Sequence, residues 1–447
     1  MRRLSRSVVR CFSILLLAVA AGCGGPDASG GSGGSQTADV TAFVGARIVD
    51  GTGAAPIEDG ALVVRAGRIA AVGPASDLEV PEGAEEVDLS GRTVVPGIIN
   101  AHGHVGSARG LESGPEVYTR ENILDQLEVN ARYGVSTVVS LGGDGPEGIR
   151  VRDEQDDSGL ERARLFVAGP VLDPDTPEEA VEQVAEVAEM GVDWVKIRID
   201  DFLGRGQKMP PEVYEAVIDA AHERDLPVAV HIVYLEDAVG ALEAGADLIA
   251  HSIRDAPVDG ELLDLMRERE VCLVPTLTRE VSTFVYAERP DFFDDPFFQR
   301  EVDPEVIETL QEPERQAAMA ESESASWYRE HLPLAQENMV RMHEAGVRVA
   351  LGTDSGPAAR FQGYFEHMEM ELMAEAGMSP EEILRSATGV AAGCTGLEED
   401  LGTLEEGRWA DFVVLREDPL ADVRNMRSID QVRVAGNRVP GSHWETP

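Results

Sequence analysis

Between residues 96 and 401 short apolar runs alternate with amphipathic stretches, and that alternation constrains the fold more than any other feature of the chain. The runs fall at 136–140, 164–168, 193–198, 227–231, 247–251, 271–275 and 348–352, and the segment beginning at Pro96 makes an eighth. Strands separated by helices of this length read as a parallel sheet. Eight such units predict an α/β fold, a (β/α)8 TIM barrel with an insertion, in preference to an open doubly wound sheet. No G-x-G-x-x-G follows the first strand. The helix between strands three and four shows the local logic. Thr176 caps it, Pro177 opens it, Glu178 and Glu179 sit at its positive end, and Gly191 stops it. Ala180, Val181, Val184, Val187 and Ala188 form its expected apolar stripe.

Outside 96–401 the pattern changes to β-branched runs between Gly-rich turns, at 41–48, 61–64, 68–72 and 86–89, and again at 411–415 and 431–434. Residues 39–95 and 402–447 are therefore expected to build one small composite β-sandwich from both chain ends. Ahead of them, Arg2, Arg3, Arg6 and Arg10 precede an apolar run too short for a comfortable membrane span, the layout of a secretory signal over 1–22. That run ends in Ala20-Ala21-Gly22-Cys23, which resembles a bacterial lipobox with Cys23 as the lipidated residue. Residues 23–38 then read as a lipid anchor and a flexible Gly/Ser tether. The expected location is the bacterial cell envelope, with the membrane as a partner. Cys272 and Cys394 are too few for a disulfide framework and are expected to serve as packing residues.

The chain carries 38 basic and 82 acidic residues, a formal net charge of -44. A phosphate backbone needs a cationic surface, so nucleic acid is excluded as a partner. Only two of the basic residues are lysines, Lys196 and Lys208.

The ends of the expected strands carry the chemistry. His102 and His104 alternate on one side of an extended segment, so both imidazoles can face one ion. Lys196 lies on the fourth strand, His231 ends the fifth, His251 ends the sixth, and Asp354 follows the eighth. In a barrel these ends converge on one mouth. The other five histidines, His222, His331, His343, His367 and His443, fall in helices or the tail and read as structural or solvated.

Taken together, Pro96-Gly97-(x)4-His102-x-His104, Val195-Lys196-Ile197, Val230-His231, Ala250-His251 and Gly352-Thr353-Asp354-Ser355 resemble the metal-dependent amidohydrolase superfamily, within it the imidazolonepropionase and prolidase-like branch. Ala387-Thr388-Gly389 and the run from Leu401-Gly402-Thr403 to Ala410-Asp411 extend the resemblance over nearly all of the mature chain. The resemblance implies that His102, His104 and Asp354 hold one divalent ion and His231 and His251 a second, bridged by Lys196 as a carbamate (N6-carboxylysine). An unmodified lysine beside a single metal is the alternative. A carbamate needs a neutral primary amine, which arginine cannot supply. Imidazole and carboxylate ligands suit Zn²⁺, with Mn²⁺, Co²⁺ and Fe²⁺ as alternatives.

The expected activity is hydrolysis of an amide bond in a small molecule, such as a dipeptide, an N-acyl amino acid or a cyclic amide. Two ions sharing a hydroxide would provide the nucleophile, and Asp354 would act as general acid and base. Tyr234 is a candidate for the tetrahedral intermediate, although prolidase-like relatives often carry that tyrosine one position earlier, where Val233 stands. Arg254 is a candidate fork for a substrate carboxylate, with a local salt bridge as the alternative. Residues 276–341, which include Phe284, Tyr286, Phe292, Phe293, Phe297 and Phe298, are expected to be a lid, a self-packed excursion or an oligomer contact. Alternative activities are a mononuclear amidohydrolase or deaminase, a lactone or ester hydrolase, and a surface lipoprotein that binds without catalysis.

Overall fold

Phe43 and Phe412, 369 positions apart in sequence, meet edge to face with ring centroids 5.0 Å apart. The computed structural model describes residues 40–444; the signal segment, Cys23 and the tether lie outside the described residues. The two rings belong to one eight-stranded sheet contributed by both ends of the chain. Phe412–Leu415 runs antiparallel to Thr93–Pro96, and Thr93–Pro96 pairs in turn with the end of Val40–Ile48. Alternate residues of these strands, among them Phe43, Ile48, Leu62, Ile69, Val94 and Val414, close a small core of their own.

The central region contains two parallel sheets. One orders Arg164–Val167, Val135–Ser140 and Ile98–Gly103; the other runs from Val171–Leu172 through Val195–Arg198, Val228–His231 and Leu248–Ala250 to Cys272–Val274. Both are buried on two faces, which is why their strands are almost wholly apolar. At one junction of the sheets Asp193 N donates to Val167 O at 2.8 Å. At the other, segment 348–352 bonds to both neighbours: Leu273 N donates to Arg348 O and Ala101 N to Leu351 O, each at 2.9 Å.

That segment differs from expectation in being no regular strand. It makes one isolated bridge, Leu273 to Val349. The cause is a competing acceptor, since Leu351 N donates to Ser386 O at 3.0 Å and so leaves the ladder.

The helix Pro177–Met190 forms between the sequence signals that bound it: the Thr176 side chain accepts from Glu179 N at 3.2 Å, and Gly191 takes φ 78°. Ala180, Val184 and Val187 are buried, whereas Val181 is 46% exposed. One residue along a helix is a 100° rotation, which carries Val181 off the stripe.

Cys272 and Cys394 are joined in a disulfide, which corrects their reading as packing residues. They lie 122 positions apart, and only the docking of helix Gly389–Thr395 beside the strand Cys272–Val274 brings their Cα atoms to 5.8 Å. No local spacing announces a pair of that kind. Among the described residues no helix is long and apolar enough to cross a membrane.

The segment after Thr276 is helical, with Leu277–Ser282, Pro304–Leu310, Pro313–Ala320 and Glu323–Glu344 as its main elements. Its aromatics mostly face inward: Phe293 and Phe298 stack, Phe298 meets Phe361 edge to face, and Phe297 meets Tyr133 the same way. The insertion is thereby tied to the loop that follows Asp354.

Candidate metal centre

The Ile98–Gly103 strand delivers His102 and, one residue past its end, His104. Asp354 lies just beyond segment 348–352, and its amide and that of Thr353 both donate to His102 O, at 2.7 and 3.0 Å. Gly356 is required here: its φ is 112°, and a Cβ would run into the carbonyl of His104. The result is a compact triad in which ligand atoms of His102, His104 and Asp354 all lie within 4.8 Å of one another. His104 Nε2 is 2.9 Å from Asp354 Oδ1.

Around the triad stand the other residues singled out from the sequence. The His251 ring centroid is 4.8 Å from that of His102 and 4.2 Å from that of His231. Lys196 lines the same cavity of about 300 Å³, with His102, His104, His231, His251 and Asp354. His251, Thr276 and Asp354 all have φ between 51° and 75°, a left-handed conformation that costs about 1–3 kcal/mol per residue and persists only where the surroundings impose it.

Hydrogen bonds set the rings. His104 Nδ1 bonds to Gly142 O at 2.7 Å, which makes it the protonated nitrogen and turns the Nε2 lone pair inward. His251 Nδ1 is 2.8 Å from Thr276 Oγ1. His231 Nε2 touches the Asp200 carboxylate.

Burial governs the charges. It holds His102 and His251 well below the ordinary histidine range and takes His231 down to about 3 against the pull of Asp200, so these imidazoles are neutral at physiological pH. Burial would raise the Asp354 carboxyl, but Arg360 and the neighbouring histidines outweigh it and hold the group ionised. Lys196 is 3% exposed and its Nζ has no hydrogen-bond partner. Desolvation, opposed by Asp354, brings it from 10.5 to about 7. Neutral imidazoles and an ionised carboxylate fit the donor set a divalent metal requires.

Two residues singled out from the sequence are placed elsewhere. Tyr234 donates its hydroxyl to Asp201 Oδ1 at 2.7 Å and does not line the cavity. Arg254 is 1% exposed, packed against Glu280 at 3.3 Å and over the Tyr328 ring, so the local salt bridge prevails over the substrate fork.

A model of the amidohydrolase family matches residues 93–439. The chain belongs to that family. Among curated relatives it is similar to imidazolonepropionase of Pseudomonas putida, 27% identical over 394 residues covering 82% of this chain and 90% of that one. Ochratoxinase of Aspergillus niger is 26% identical over 272 residues, covering 59% of this chain and 49% of that one. Matches to uncharacterized mycobacterial proteins likewise span about half of those relatives, 53% of their length. Among solved structures, a putative prolidase from Bifidobacterium longum has a TM-score of 0.73 and 26% identity, covering 92% of this chain and 96% of that one.

Several residues of this amidohydrolase's centre escaped the sequence reading. Arg198, Arg279 and Arg360 line the cavity, and Asp200 engages His231. Beneath the triad, the buried Glu366 accepts from Asn100 Nδ2 at 2.5 Å, Ser355 Oγ at 2.7 Å and Thr353 Oγ1 at 3.0 Å. Glu369, one turn on, accepts from the amides of Leu277 and Thr278, each at 2.7 Å. Two glutamates three apart in the apolar stripe of helix Tyr364–Ala376 were the available signal.

Proposed function

We propose that the protein is a binuclear metal-dependent hydrolase that cleaves an amide bond in a dipeptide, an N-acyl amino acid or a cyclic amide. The observation that carries this reading is Lys196: a buried amine with no partner, shifted to about 7, within the same cavity as four histidines and an aspartate. A lysine in that state is the form that adds carbon dioxide. As a carbamate it would serve both ions, with His102, His104 and Asp354 holding one and His231 and His251 the other. Bound divalent metal supplies Lewis acidity, which brings water to a useful pKa and polarises the scissile carbonyl.

The chain's own groups do the rest. Asp354, held ionised, takes the proton of the attacking water and passes it to the leaving amine. The hydrogen bonds on His104 and His251 keep those rings in one orientation. The amide-cleaving character is supported by the imidazolonepropionase, ochratoxinase and prolidase names among the similar proteins. A mononuclear hydrolase is the second reading, favoured by the contact between His231 and Asp200 and by the compactness of the His102, His104 and Asp354 triad.

The finer architecture belongs to the same proposal. The bonds on both sides of 348–352, with that from Asp193 to Val167, support closure of the strands into a (β/α)8 barrel. The division of one edge of Val40–Ile48 between Glu85–Asp88 and Thr93–Pro96 supports a small sandwich. A lipid anchor at Cys23 would hold the enzyme in the envelope, an oxidising setting consistent with the Cys272–Cys394 disulfide.

The test combines a screen of dipeptides, N-acyl amino acids and cyclic amides with magnetic resonance of protein supplied with isotopically labelled bicarbonate. A carbamate signal that disappears in Lys196→Ala, together with turnover, is the expected result. Turnover without such a signal favours the mononuclear reading.

A further inference from the structure

Two of the three arginines lining the metal cavity are already paired. Arg360 Nη1 lies 2.6 Å from Asp354 Oδ2, and Arg279 Nη1 lies 3.2 Å from Glu280 Oε2. Arg198 differs in that, among the described residues, no carboxylate lies within ion-pair distance of it; its Nε, like that of Arg279, is buried without a hydrogen-bond partner. A buried donor left unsatisfied costs about 1–3 kcal/mol.

The position of Arg198 indicates what could satisfy it. Arg198 follows Lys196 by two residues on the strand Val195–Arg198, so both project from the same side, and it pairs in register with His231. It lines the metal cavity of about 300 Å³ and also an adjoining one of about 190 Å³, with Val171 common to both. A molecule that reaches from the ligand residues into the side cavity passes the guanidinium.

The loop beyond adds a second feature. Phe202 lies under the Arg198 guanidinium, 5.0 Å from it, is 49% exposed, and with Leu203 has a left-handed backbone, φ 56° and 60°. Exposure of a large aromatic on strained backbone at a cavity rim marks a contact surface.

We infer that Arg198 is a specificity-determining residue that receives a carboxylate of the substrate, with Phe202 covering the apolar part beside it. A guanidinium presents a planar fork that matches the two oxygens of a carboxylate. In a chain of net charge -44, a cation with no ion-pair partner where the two cavities meet attracts an anion that the rest of the surface repels, against the opposing carboxylates of Asp173 and Asp200 in the side cavity. The inference rests on the amide-hydrolase reading and adds to it which face of the site holds the charged end.

The experiment uses the full-length, metal-loaded protein and N-acetyl-L-amino acids, each beside its carboxamide. N-acetyl-L-aspartate α-amide, which keeps only a side-chain carboxylate, separates the two sources of charge. Free acids are expected to be preferred. Arg198→Gln should raise KM for the acids roughly ten- to hundredfold, the worth of a hydrogen bond to a charged group, with a smaller change in kcat and a rise for the carboxamides several times smaller than for the acids. Arg198→Lys should restore part of the loss. An acid-over-amide preference unchanged in Arg198→Gln overturns the inference. If no amide is turned over, titration with N-acetylglycine decides. Binding that is lost in Arg198→Gln upholds the carboxylate site while the hydrolase reading fails, and equal or absent binding overturns the site as well.

Discussion

Asn100 Nδ2 donates to Glu366 Oε1 at 2.5 Å, and the same asparagine accepts from the amide of His102 at 3.0 Å. One buried carboxylate thus supports both arms of the triad, since Ser355 and Thr353 beside Asp354 bond to it too. Removing it strands several buried donors. Glu366→Ala should lower metal affinity by about 10- to 100-fold, as loss of groups that orient ligands does. Titration with a competing chelator measures this, and Glu366→Gln, which keeps an acceptor, should lose less.

Tyr234→Phe should cost about 1.5 kcal/mol of stability through the lost bond to the Asp201 carboxylate, the low end for a hydrogen bond to a charged group because the pair is partly solvated. Turnover should change by less than roughly tenfold, because general acid-base groups are worth about a hundredfold or more. Steady-state kinetics and denaturant melts on the same preparation check both. A hundredfold fall in kcat would return Tyr234 to the reaction.

The disulfide closes a loop of 122 residues, and cross-links of this kind contribute about 2–4 kcal/mol. Cys394→Ser should therefore melt earlier than the parent, and added reductant should lower the parent's melting temperature towards the variant's. The variant itself should not respond to reductant. Metal content should be unchanged, because Cys272 begins its strand and the cavity lies beyond the strand's other end, at Thr276.

At the start of helix Pro380–Ser386, Ser379 and Glu382 form a reciprocal cap, and the hydrogen bonds from the Ser379 hydroxyl and amide hold the Glu382 carboxyl down, from 4.5 to about 2. A folded-state pKa below the unfolded value means that the stabilisation is complete above 4.5 and is lost as pH falls towards 2. The stability difference between the parent and Glu382→Gln should be fully present just above that window and shrink on descending through it. Urea melts at a series of pH values measure it; a difference that grows on acidification contradicts the assignment.

The candidate ligands His102, His104, His231, His251 and Asp354 were legible because each ends or directly follows a short apolar run, and because alternation puts His102 and His104 on one side of an extended segment. The same alternation places Arg198 with Lys196, a relation that only becomes meaningful once the cavity is seen. What stayed hidden depends on contacts distant in sequence. Glu366 meets Asn100 across 266 positions, and Cys272 meets Cys394 across 122. Asp200 could not be ranked above its neighbour Asp201 until the loop was placed, with one carboxylate on His231 and the other on Tyr234. Val181 shows the limit of reading a stripe by composition, since an apolar residue one step off the buried face simply faces water.

The central claim is that Lys196 helps to hold two metal ions, and metal per chain tests it most directly. Protein grown with zinc and bicarbonate, purified without chelator and analysed by plasma mass spectrometry should carry about two ions per chain, the stoichiometry of a two-metal site. Lys196→Ala should lose most of that metal. About one ion per chain, unchanged in Lys196→Ala, would contradict the account and leave the His102, His104 and Asp354 triad as a single-metal site.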